Sequence, residues 1–194
     1  MKFLSEYKPY LIFSGLFVCG LAVILIISSG LYPIALVNGK FLSARTLEDH
    51  LQAESIYYQN FLKTYTTPDT KIEKITVEDL KKFILTKLIE NVLVNNEVEK
   101  KLGNDLNVII EDRIQKITQD QKLEKAATAI YGLTFEDFRE EILVPLAKED
   151  ILAGRLFLEG QNFDDWLASA KKLSKVKIFS TNFYWDGEEV QTKP

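Results

Sequence analysis

The chain has 194 residues and a formal net charge of −4, with 27% charged and 46% hydrophobic side chains. The acidic balance argues against a nucleic-acid partner, which needs a basic face for phosphate, and this much charge excludes a multi-span membrane protein. One cysteine and one histidine exclude a disulfide framework, a zinc site built from Cys and His, and any relay that needs a second histidine.

Residues 10–31 (YLIFSGLFVCGLAVILIISSGL) carry no charge. A helix of about 20 apolar residues matches the roughly 30 Å hydrocarbon core of a bilayer and satisfies its own backbone. The run therefore predicts a transmembrane anchor over 10–31 behind a short cytoplasmic tail, 1–9. It exceeds the roughly 7–15 apolar residues of a cleaved signal, although Ser28 and Gly30 form a small-x-small exit and cleavage stays open. Cys19 follows Val18 in mid-run, the wrong place for lipidation. Lys2 and Lys8 before the run balance Lys40 and Arg45 after it. Only the α-amino group tips the count towards an inside N-terminus.

Residues 33–185 then read as one mainly helical domain. Val37-Asn38-Gly39-Lys40 is a hairpin signal, because a type I′ turn needs positive φ twice. Ser43 can cap a helix from Ala44 to Tyr65. Thr66 to Ile75, with Pro68, reads as a turn. Thr76 caps a long central helix whose face includes Leu80, Phe83, Ile84, Leu88, Val92 and Val98, and Gly103 stops it. Ile109–Gln119 and Lys122–Tyr131 read as shorter helices, the second closed by Gly132. Thr134-x-x-Asp137 resembles a capping box, and Phe135, Phe138, Ile142 and Leu146 form one apolar stripe that Pro145 should kink. Glu159 to Asn162 breaks the chain before a last helix, Phe163–Leu173. Lys175–Phe179 and Asn182–Trp185 alternate like strands. Residues 186–194 read as a flexible tail.

Catalytic, metal and cofactor sites are not expected. His50 reads as a solvated helix residue, and no glycine-rich phosphate loop is present. Glu136-Asp137, Glu140-Glu141 and Asp164-Asp165 sit at helix starts or outer faces, where acids are easily solvated. Aromatic residues are the stronger signal. Tyr57, Tyr58, Phe61 and Tyr65 cluster late in the first helix of the domain, and Phe157, Phe163 and Trp166 surround the Glu159–Asn162 break. Those left exposed would form an apolar groove suited to unfolded chains.

The order of these motifs resembles the chaperone domain of the SurA, PrsA and PpiD foldases. The resemblance rests on Val37-Asn38-Gly39 and on Gly132, Thr134, Glu136, Asp137, Phe138 and Arg139, and spans about Ile34 to Phe157. It implies an extracytoplasmic, ATP-independent holdase for unfolded or nascent polypeptides, with the first and last strands, Ile34–Leu42 and Val176–Phe179, paired in a small sheet. Leu158 reaches Phe163 across four residues, which leaves no room for the parvulin isomerase domain of such proteins, so isomerase activity is not carried over. The expected whole is a single-pass, membrane-anchored protein, N-terminus inside, with a SurA N-terminal-like helical domain outside. A scaffolding subunit docking one defined partner is the alternative, a peptidyl-prolyl isomerase with a degenerate site ranks below it, and a homodimer is left open.

Overall fold

The computed structural model describes residues 8–65, 75–118 and 122–193. The expected turn at 66–75 lies, up to residue 74, outside the described residues, as do residues 1–7.

Helix α1 (Lys8–Ser28) is 21 residues long and stops short of Leu31. The Ser28 and Ser29 hydroxyls donate to the Leu25 carbonyl at 3.2 and 2.7 Å. Gly30 then takes a left-handed φ of 68°, and the Leu31 N–H turns back to the Ile26 carbonyl at 3.1 Å, a glycine-closed helix end. From Ile12 to Ser28 the helix is exposed to solvent. Among the described residues no helix is long and apolar enough to cross a membrane. This overturns the transmembrane anchor expected over 10–31, and with it the single-pass placement with the domain outside the cell membrane.

The remainder is mainly helical with two small antiparallel sheets. Strands β1 (Pro33–Val37) and β2 (Lys40–Ser43) form the hairpin, with Val37 opposite Lys40. Asn38 and Gly39 take φ of 49° and 90°, the signs the turn demands. Ser43 caps α2 (Ala44–Tyr65) by accepting from the Thr46 N–H at 3.1 Å. Thr76 caps α3 (Val77–Leu102), accepting from the Asp79 N–H at 3.1 Å, and Gly103 closes it. Helix α4 (Leu106–Thr118) follows. Helix α5 (Lys122–Ala126) widens into a π turn over Ala127–Tyr131, which left-handed Gly132 ends. Thr134 caps α6 (Phe135–Phe138), a second π turn spans Arg139–Leu143, and α7 (Val144–Leu158) continues it. Asn162 caps α8 (Phe163–Leu173) through the N–H groups of Asp164 and Asp165.

The second π turn alters the predicted stripe. One extra residue in the turn advances the inward face by one position, so Leu143 and Ala147 are buried where Ile142 and Leu146 were expected, and Leu146 is 52% exposed. Pro145 follows that turn in the first turn of α7, where its missing N–H is tolerated. On α3 the buried face is Ile84, Leu85, Leu88, Ile89, Leu93, Val94 and Val98, with Phe83 turned outwards.

Strand β3 (Val176–Ile178) pairs antiparallel with β1, setting Ala35 opposite Ile178. Asn38 fastens this junction: its N–H donates to the Lys175 carbonyl at 3.0 Å, and its Oδ1 accepts from the Lys175 N–H at 2.8 Å. The first sheet is thus ordered β2-β1-β3, while β4 (Phe183–Trp185) pairs with β5 (Val190–Thr192). Residues 186–193, expected to be loose, therefore carry a strand, and Val190 is buried against α3 with its N–H on Thr86 Oγ1 at 3.0 Å. The core has two parts that α3 threads. One joins the first half of α3 to the β1 hairpin and Val190; the other joins its second half to α4, Ala127, Phe138 and α7.

Candidate functional site

Tyr57 and Phe61 stand one helical turn apart on α2, their rings stacked with centroids 6.5 Å apart. Tyr57 also stacks on Tyr131 at 5.2 Å and 14°, and Tyr131 meets Phe138 at 5.4 Å. The four rings form one file from solvent to core: Tyr57 and Phe61 are 37% and 39% exposed, while Phe138 is buried. Two devices fix Tyr131. Gly132 adopts a φ of 69° directly after it, and the Asn60 side-chain amide reaches across from α2 to the Ala129 and Ile130 carbonyls, both at 3.0 Å. Burial, with Glu54 and Tyr57 nearby, holds the Tyr131 phenol above its ordinary pKa.

The other predicted aromatic residues divide. Tyr58 faces the approach to α3, its hydroxyl accepting the Ile75 N–H at 3.3 Å. Tyr65 ends α2, and its side chain lies outside what the structure describes. Phe163 and Trp166 meet at 5.9 Å and pack half-buried against the core. Phe157 is 79% exposed at the end of α7. Among the described residues no ring contact joins the Phe163–Trp166 pair to the file.

Beside the file, a cleft of about 300 Å³ opens between α2 and the Gly132 turn, with Asp49, Asp137 and Glu141 on its walls. Glu136, Asp137 and Glu140 are exposed as expected. Glu141 is not: its Oε2 is closed off from solvent with no hydrogen-bond partner. Burial, then Asp49 and Asp137, push its carboxyl pKa up. Among the described residues no group of carboxylates, His or Cys is arranged to hold a metal ion. His50 also departs from expectation. It is half-buried at a cavity between α2, α3 and α7, where burial lowers its pKa against a smaller rise from Asp49.

Sequence reasoning found Tyr57 and Phe61 through their helical spacing. It missed Tyr131 and Asn60 and took Glu141 for a solvated acid, because their roles come from contacts between elements far apart in the chain. The Gly132 turn was the one local signal beside Tyr131. Compared with protein-family models, curated proteins and solved structures, the chain matches none.

Proposed function

We propose that this protein is an ATP-independent, holdase-like chaperone that binds non-native polypeptides without an isomerase activity of its own. The observation that carries this reading is the aromatic file. Tyr57 and Phe61 remain partly exposed, while Tyr131, itself against the buried Phe138, backs the Tyr57 ring. Rings held in this way present a large apolar area and lose little side-chain freedom on binding. Such a surface takes apolar residues of an extended chain without demanding a particular sequence.

The test is light scattering from a chemically denatured, unrelated protein diluted into buffer with the full chain. Suppression of aggregation is expected, and the Tyr57→Ser/Phe61→Ser double variant should lose most of it with its helical content unchanged. No suppression by the wild-type chain sinks the reading. The rival, a scaffolding subunit docking one defined partner, draws on Phe157 and Leu158, adjacent and strongly exposed where α7 ends. One stable partner in a crosslinking pull-down, together with no suppression, would favour it.

A further inference from the structure

A cavity of about 230 Å³ lies where the β1–β2 hairpin meets α2, α3 and α7. Its lining mixes apolar side chains, among them Leu42, Leu88 and Val92, with Lys148, Asn91 and His50. Lys148 is half-buried. Its Nζ donates to Asn95 Oδ1 at 2.5 Å, a neutral acceptor, and among the described residues it has no ion pair. The nearby acid is already engaged: Glu99 accepts from Lys40 Nζ at 2.9 Å and from Asn95 Nδ2 at 2.7 Å. An ammonium carries three donors, so two of those on Lys148 have no protein partner among the described residues. No hydrogen bond among the described residues engages the Asn91 amide or the His50 ring either.

We infer that this cavity binds a carboxylate attached to a short apolar body. A partly desolvated cation is stabilised most by an anion that also fills its hydrogen bonds. Lys40 is paired with Glu99, whereas Lys148 touches no carboxylate among the described residues, so the cavity offers one ammonium for direct contact, which matches a monocarboxylate; a phosphate dianion would bring excess charge close to Glu99. The apolar lining accounts for the carbon body. Burial lowers the Lys148 pKa, and Lys40 adds to this, against a rise from Glu99 and Glu140. Two sources share this chemistry: a free small acid, and the C-terminal residue of a polypeptide. The cavity is lined by other residues than the aromatic file, so failure of the aggregation assay leaves this site untouched.

The probe is 3-phenylpropionate, titrated into the full chain while the ring resonances of His50, the sole histidine, are followed by NMR. Saturable shifts are expected, with 3-phenylpropanol at least roughly tenfold weaker and Lys148→Met lowering affinity for the acid by a similar factor. A peptide ending in a free phenylalanine, set against its C-terminal amide, separates the sources. Binding of 3-phenylpropionate and of the acid peptide, but not of its amide, assigns a polypeptide terminus; binding of 3-phenylpropionate without either peptide assigns a small acid. No saturable shift at millimolar 3-phenylpropionate, or equal binding of the alcohol, overturns the site. The comparison of acid with alcohol decides the matter on the wild-type chain if Lys148→Met fails to fold.

Discussion

Lys171 Nζ on α8 lies 2.9 Å from Oε1 of Glu90 on α3, and Lys87 holds the other oxygen of the same carboxylate at 2.9 Å. Glu90 is the one charged residue among those found buried, so the pair pins α8 to the central helix from within. Removing the carboxylate strands the half-buried Lys171 ammonium. Glu90→Ala should cost about 2–3 kcal/mol in equilibrium urea unfolding. Lys171→Met leaves Glu90 paired with Lys87 and should cost less, about 1 kcal/mol. Equal losses would show that α8 is held mainly by other contacts.

Gly132 should resist substitution for a backbone reason. Its φ of 69° disfavours a side chain, and an added Cβ would stand 2.8 Å from Ile56 Cδ1. That atom is the mobile end of its side chain and can move away, so the conformational cost dominates. Gly132→Ala should lower stability by about 1–2 kcal/mol, read as a lower urea midpoint with unchanged slope.

The acid in the cleft gives a pH signature. The Glu141 pKa is raised above its ordinary 4.5, so the folded state holds that proton more tightly than the unfolded chain. Stability from this group is full below pH 4.5 and falls as pH rises through the folded value. Glu141→Gln should therefore raise the melting temperature at pH 7 and change it little at pH 4. His50 acts oppositely. With its pKa below 6.5, its contribution is present above 6.5 and is lost on acidification. His50→Gln should flatten the decline between pH 7 and 5.

The C-terminal strand should matter for stability. Val190 fills a place in the core beside α3 and donates its N–H to Thr86 Oγ1. Val190→Ala should cost about 2 kcal/mol, and Thr86→Val about 1 kcal/mol by leaving that N–H unpaired. Thermal melts of both variants check this, and a chain indifferent to Val190→Ala would mean β5 is only loosely seated.

What could be read from the sequence follows from where each signal resides. The hairpin at Asn38-Gly39, the caps at Ser43, Thr76 and Thr134, and the limits of α2 and α8 rest on chemistry within a few residues. The π turn at Arg139–Leu143 has no such local mark, so helical periodicity carried past it assigned Ile142 and Leu146 to positions that Leu143 and Ala147 hold. Strand β5 is short, and its burial depends on Thr86, 104 residues away. The apolar run at 10–31 showed its composition but not its end, which the Ser28 and Ser29 hydroxyls and Gly30 set. Half of the aromatic file was visible as the Tyr57–Phe61 spacing; the half that anchors it depends on how α2 lies across the 127–132 turn.

The mutual bonds of Asn38 and Lys175 also set a timetable. The two residues are 137 positions apart, and β3 leaves the ribosome long after β1. Until then the hairpin offers an unpaired strand edge, the kind of surface that recruits other chains. Closure by so distant a partner is slow to find. A chain that ends before Val176 would keep that edge permanently, and its expected fate is self-association rather than simple loss of stability.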